Sequence, residues 1–155
     1  MKSFLIDGNG KIQVRWGLIP DGIHYEGEIP PGFYKAVCPS GKYIVLDVDN
    51  KSQEKNGFNY IKPEILRELE YTFSYKTKSG SGRHYWLLYS GYKILMNTST
   101  KFHLDLRVGA KDKNCGGFVR YHHSVDIREC IHLIKETSQQ MNEWLESLFC
   151  GVNNK

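Results

Sequence analysis

The sequence predicts an α+β fold, and three observations predict it. The run KYIVLDVD packs Tyr43, Ile44, Val45, Leu46 and Val48 into one near-continuous apolar stretch, as a strand covered on both faces requires. Several other short segments alternate apolar or aromatic residues with polar ones between turn formers, the pattern of further strands. From Asp126 onward the spacing turns helical: Ile127, Cys130, Ile131 and Ile134 share one face, and Met141, Trp144, Leu145 and Leu148 share that of a second stretch.

Taken in order, LIDGNGKIQV sets Asp-Gly and Asn-Gly turn formers between two apolar runs and reads as a hairpin. Between Trp16 and Pro39 the chain is rich in Gly and Pro, so turns and irregular segments are expected there, anchored by Trp16, Ile19, Tyr25 and Phe33. KYIVLDVD is the central strand. KPEILRELE then places Pro63 in a first helical turn, Glu64 near its N-terminus, and Ile65, Leu66 and Leu69 on one face. YTFSYKT and RHYWLLYS are strands joined by the flexible KSGSG; FHLDLRV and GGFVRYH are strands joined by the polar loop GAKDKNC. In the closing helical stretch Ser138 is placed to cap and Gly151 to terminate.

The chain has 155 residues, enough for a single domain over 1–155 that buries roughly two-thirds of its extended-chain surface. No apolar run approaches the roughly 20 residues needed to cross a bilayer, so no membrane partner is expected. MKSFLIDGNG lacks a secretory pattern, and a cytoplasmic location is expected. A formal net charge of +4 permits a polyanionic partner without demanding one. Cys38, Cys115, Cys130 and Cys150 form no paired knuckle. A zinc site from Cys115, His122, His123, Cys130 and His132 is not expected at such irregular spacings.

Three elements carry chemistry. Asp47 and Asp49, one residue apart at a strand end, point to the same face and could share a hard divalent cation. An ordinary strand end running into a solvated turn would also read D-V-D-N. Asp105 lies in FHLDLRV between apolar neighbours, so it projects from the polar face of a second strand with His103 and Arg107. A third acid there can complete a two-metal clamp for phosphoryl chemistry, or simply pair with Arg107. The tract TKSGSGRHYW gathers Thr77, Lys78, Ser79, Ser81, Arg83 and His84 around the flexible Gly80 and Gly82, donors suited to a triphosphate. It is equally the composition of a hairpin turn.

In this order, IVLDVDN, SGSGRHYW, HLDLRVG and GGFVRYHHS resemble the prim-pol branch of the archaeo-eukaryotic primase superfamily, of phage or mobile-element type. The likeness runs from about Gly41 to Ser124. It implies a primase-type catalytic fold, an RRM-like half packed against a second small β-rich unit with C-terminal helices. It also implies Asp47, Asp49 and Asp105 as metal ligands for two Mg²⁺ or Mn²⁺ ions. Ser79, Ser81, Gly82, Arg83, His84 and Arg107 would bind the nucleotide, with Arg120 and His122 as weaker candidates. The partners implied are single-stranded DNA template and nucleoside triphosphates, in a bacterial host if the chain is phage- or plasmid-encoded.

The insert VGAKDKNCG is longer than the tight turn the family leads one to expect, and its Lys111 and Lys113 are candidates for strand contact. YHHS lacks the prolines of related sequences. Nothing reads as a helicase P-loop, so template opening would fall to another chain or region. Under the polymerase expectation Tyr75, Tyr85, Trp86 and Tyr121 could contact template, although aromatic rings in strands more commonly build the core. Two other functions fit the same residues. One is a metal-dependent nuclease or phosphodiesterase; the other is a non-catalytic nucleotide or single-strand binder serving replication.

Overall fold

A computed structural model describes residues 1–7, 22, 24–77, 80–109, 117–121 and 132–150. They form an α+β fold of antiparallel sheets with two helices. Nine strands are assigned among them: β1 (Lys2–Asp7), β2 (Phe33–Cys38), β3 (Tyr43–Val48), β4 (Ser74–Lys76), β5 (Arg83–Leu88), β6 (Thr98–Ser99), β7 (Leu104–Val108), β8 (Val119–Tyr121) and β9 (Lys135–Glu136). The helices are α1 (Pro63–Leu69) and α2 (Gln139–Phe149).

The main sheet runs β4-β5-β3-β7-β6, all antiparallel, and β9 adds to β5 in parallel. As KYIVLDVD led one to expect, β3 is its central strand, and both its faces are covered. On one face Ile44, Leu46 and Val48, Tyr85 and Leu87, and Leu104, Leu106 and Val108 pack with Ile65 and Leu69 of α1 and with Met141, Trp144, Leu145 and Phe149 of α2. The helices sit there because their apolar residues recur at three- and four-residue intervals, so one stripe of each is buried. Pro63 occupies the first turn of α1, where its missing N–H costs nothing. Ser138 caps α2, its hydroxyl accepting from the Met141 amide at 3.1 Å and donating to Glu68 Oε2 at 2.6 Å. The two helices are thereby tied to each other.

On the opposite face Val45, Tyr75 and Trp86 meet Val119, with Met1 and Val37 beside them. These last three belong to or adjoin a second sheet, β1-β2-β8. β8 therefore leaves its neighbour in sequence, β7, and pairs with β2.

Two expectations need correcting. Phe33–Cys38, expected to be irregular, is a strand, because it is the middle of the second sheet and both its edges are paired. Ile134 is not helical: it immediately precedes β9. β4 covers only Arg83–Tyr85 of β5, and Lys135 and Glu136 take up the edge left at Leu87 and Leu88. Of the two closing helical stretches expected, the second is α2; Ile127, Cys130 and Ile131 of the first lie outside the described residues, as do Gly151 and the second run of the opening hairpin, Lys11–Val14. Among the described residues no helix is long and apolar enough to cross a membrane.

Candidate active site on the main sheet

β3, β5 and β7 each carry a polar residue on the face turned away from the helices. Antiparallel pairing sets Asp47 directly opposite His84 on one side and Asp105 on the other. Residues opposite each other in such a ladder share a face. The row extends outward to Tyr75 on β4, opposite His84, and to Ser99 on β6, opposite Asp105. A single line, Tyr75-His84-Asp47-Asp105-Ser99, thus crosses five strands. Arg107 lies one step along the same face, opposite Val45.

Asp49 follows just past the end of β3. Its amide donates to the His103 carbonyl at 3.0 Å and its own carbonyl accepts from the Gly57 amide at 2.7 Å. His103 adopts φ 60, a left-handed conformation rare outside glycine. A Cβ on Gly57 would come within 2.4 Å of the His103 carbonyl oxygen. Only glycine lets these two segments close around Asp49.

The electrostatics follow from this crowding. Burial raises the Asp49 carboxyl above the usual carboxylate range, negative charge on Asp47 and Asp105 raises it further, and Lys51 and His103 offset part of the effect. Asp105 is engaged by Arg107, Nη2 to Oδ2 at 3.2 Å. His84 Nε2 stands 3.3 Å from Asp47 Oδ1, close enough for an ion pair when the ring is protonated. The contact is not aligned as a hydrogen bond: Asp47 Oδ1 and His84 Nδ1 are both buried with no hydrogen-bond partner among the described residues. The His84 side chain is 10% exposed and that of Asp47 18%, so neither is freely satisfied by bulk water. An edge-on Tyr75 ring, 5.3 Å away, holds the imidazole in place. Tyr75 is itself fixed by the Trp86 indole N–H, which donates to its hydroxyl at 3.1 Å.

Orphaned buried carboxylate oxygen, clustered acids and a raised carboxyl are what a hard divalent cation relieves. As they stand, however, no three His, Cys, Asp or Glu side chains among the described residues are gathered into a metal-holding group. Asp105 leans on Arg107, and Asp47 Oδ1 stands 3.3 Å from His84 Nε2. The backbone register brings the acids together, and the side chains do not yet converge.

The glycine-containing loop closes the β4-β5 hairpin. The Thr77 amide donates to the Gly82 carbonyl at 3.0 Å, the Gly80 amide to Thr77 at 2.8 Å, and Gly80 has φ 80. Ser81 Oγ donates to the Asn50 carbonyl at 2.6 Å, so the loop is moored to the residue that follows Asp49. Gly82 is required there, because a Cβ would lie 2.7 Å from the Val48 carbonyl oxygen.

Two of the expected nucleotide contacts have partners within the fold. Arg83 projects to the face opposite His84, where its Nε donates to Ser74 Oγ at 3.0 Å, because neighbouring residues of a strand alternate. Ser81 holds the loop to Asn50. Ser79 and His122 lie outside the described residues, as do Lys78, Lys111, Lys113 and most of the zinc candidates; His132 lies edge-on to Tyr71. Tyr75, Tyr85 and Trp86 are buried and belong to the core, whereas Arg120 is exposed on β8. Tyr75, expected only as a template contact or core ring, and Ser99, for which the sequence carries no signal, complete the row. Register alone reveals them.

Compared with family models and with curated proteins, the chain matches none.

Proposed function

We propose that this chain is a primase-polymerase domain of the archaeo-eukaryotic primase type, joining nucleoside triphosphates on a single-stranded DNA template. The observation that supports it most is the cross-strand row His84-Asp47-Asp105, with Asp49 beside it and a hairpin loop moored next to Asp49. Asp47, Asp49 and Asp105 would hold two Mg²⁺ or Mn²⁺ ions. Bound there, such ions lower the pKa of an attacking 3′-hydroxyl and offset charge on the phosphoryl group in transfer.

The chain's own residues do the rest. His84, fixed by Tyr75, presents ring nitrogen to triphosphate oxygens from a site largely shielded from water, where such a bond is strong. Arg107, now paired with Asp105, would offer its guanidinium to phosphate if Asp105 held a cation instead. The antiparallel sheet with both helices on one face is compatible with the RRM-like half this reading calls for. The second sheet would be its small β-rich companion.

One observation favours a metal-dependent nuclease or phosphodiesterase instead. Ser81 and Arg83 are occupied elsewhere, which thins the donor set around a triphosphate. Incubation with labelled nucleotides, single-stranded template and Mg²⁺ or Mn²⁺ separates the readings. The expected result is nucleotide incorporation that the double variant Asp47→Ala/Asp49→Ala abolishes. Loss of labelled DNA without incorporation assigns the acids to hydrolysis, and incorporation by wild type no greater than by the double variant refutes polymerisation. Binding of nucleotide or strand that ignores both metal and the acids would identify a non-catalytic accessory protein.

A further inference from the structure

At the end of the sheet that carries Asp49, on the helix side where Phe58 and Phe102 pack against the core, lies an aromatic pair that no part of the proposed chemistry uses. Gly57–Tyr60 is a short 3-10 turn leading out of the loop that follows Asp49. Tyr60 at its end is 47% exposed, and its ring stands 5.0 Å from that of Phe102, tilted by 43°. Lys101 Nζ lies 5.3 Å from the centroid of the Phe102 ring. Both ring-bearing segments grip Asp49 through the backbone: His103 accepts its amide, and Gly57 donates to its carbonyl. The aromatic pair is thus fastened to the acidic site by residues one and three positions away along the chain.

The loop that presents Tyr60 is held by its own hydrogen bonds. The Asn56 side chain accepts from the Phe58 amide at 3.0 Å, Asn59 Nδ2 donates to the Gln53 carbonyl at 3.0 Å, and the Lys51 amide donates to the Lys55 carbonyl at 2.8 Å. A tyrosine ring left half in water on so ordered a loop is preorganised for a flat partner. Along these two segments lysines predominate: Lys51, Lys55, Lys62 and Lys101 are all exposed, with Glu54 among them and Asp49 and Glu64 at the edges. Flat rings set among lysines suit a strand that alternates bases with phosphates.

We infer that Tyr60, backed by Phe102 and flanked by Lys101, is a stacking platform for a base of single-stranded nucleic acid passing around the end of the sheet that carries Asp49. This rests on the reading that the acids act on nucleic acid. It supplies the aromatic contact that buried Tyr75, Tyr85 and Trp86 do not. The platform works without metal or nucleotide, so it is tested apart from catalysis.

The experiment is fluorescence anisotropy of a labelled oligo-dT strand with the full chain in EDTA, titrated at several salt concentrations. Tyr60→Ala is expected to weaken binding by about 5-fold or more, the effect of losing one stacked base. Tyr60→Phe, which keeps the ring, should bind within about 2-fold of wild type on the same ground. Lys101→Ala should lower the slope of log affinity against log salt by about 0.7, one phosphate contact on a single strand, whereas Tyr60→Ala leaves the slope as it was. Equal melting temperatures for wild type and Tyr60→Ala show that the loss is not unfolding. Wild-type affinity in Tyr60→Ala, a Tyr60→Phe as weak as Tyr60→Ala, or no binding of the strand by wild type overturns the platform. Binding through Tyr60 without nucleotide incorporation keeps the platform and sinks the polymerase. Incorporation with binding indifferent to Tyr60 does the reverse.

Discussion

Replacing Asp49 by Asn should make the protein more stable in the absence of metal. Its carboxyl is held above the ordinary range by burial first and by Asp47 and Asp105 next. Between the unfolded value near 3.8 and that raised value, the folded chain binds more protons than the unfolded chain. Stability therefore falls as pH rises through this window, and above it the full penalty is present. Two unit charges at contact repel by about 1 kcal/mol in water and about 4 kcal/mol at an effective dielectric of 20. Asp49 keeps access to water, so the screened end applies, and relief of about 0.5–1 kcal/mol is the reasonable size. For a chain of this length that is a rise in melting temperature of about 1–4 °C.

Circular-dichroism melts of both proteins in EDTA would show the Asn variant melting higher at neutral pH, with the gap closing as the solution approaches pH 3.8 and below. Saturating Mg²⁺ or Mn²⁺ should invert the order. At about 100 times its dissociation constant an ion bound only by the folded state adds about 2.7 kcal/mol, more than the repulsion it relieves. A variant no more stable than wild type at neutral pH in EDTA, or a gap unmoved by acid, would refute the claim that Asp49 is strained by its acidic neighbours.

Gly82→Ala should lower stability by about 1–3 kcal/mol, since the new methyl meets backbone at Val48 rather than a yielding side chain. Val48 sits between the two acids, so incorporation should fall more than in a control variant of equal stability, which parallel melts and extension assays would reveal. Ser138→Ala is such a control. It removes the α2 cap and the link to Glu68, for a loss of about 1–2 kcal/mol by denaturant titration, with extension unchanged under conditions where the variant is folded.

The parts of the fold legible in the sequence are those whose pattern reports their own burial. β3 was visible because both its faces are covered, and α2 because Met141, Trp144, Leu145 and Leu148 keep helical spacing, although Phe149 rather than Leu148 is the fully buried residue at its end. β2 and β9 were not, because their extended form comes from partners distant in sequence: Phe33–Cys38 needs β1 and β8, and Lys135–Glu136 needs the unpaired end of β5. Arg83 is a different case. Its separation from His84 was readable, since adjacent strand residues cannot share a face. The mooring of Ser81 to Asn50 and the meeting of Tyr60 with Phe102 depend on loops brought together only by the sheet.

The acidic row owes its geometry to the apolar residues behind it. Leu104, Leu106 and Val108 alternate with Asp105 and Arg107 on β7, and Leu46 and Val48 alternate with Asp47 on β3. Sliding β7 by one residue against β3 would carry Asp105 into the helix-packed core and expel Leu104 and Leu106, each fully buried. Exposing a buried leucine costs about 1.5–3 kcal/mol, and burying an unpaired carboxylate costs several more. A slip is therefore excluded by more than the repulsion that opposes packing Asp47 beside Asp105. The core sets the register, and the register sets two acids and a histidine in one row of one face, with Asp49 just past its end. This explains why the Asp-x-Asp pair on its own is ambiguous in the sequence: what distinguishes a site from a solvated strand end is the hydrophobic alternation on the strands to either side.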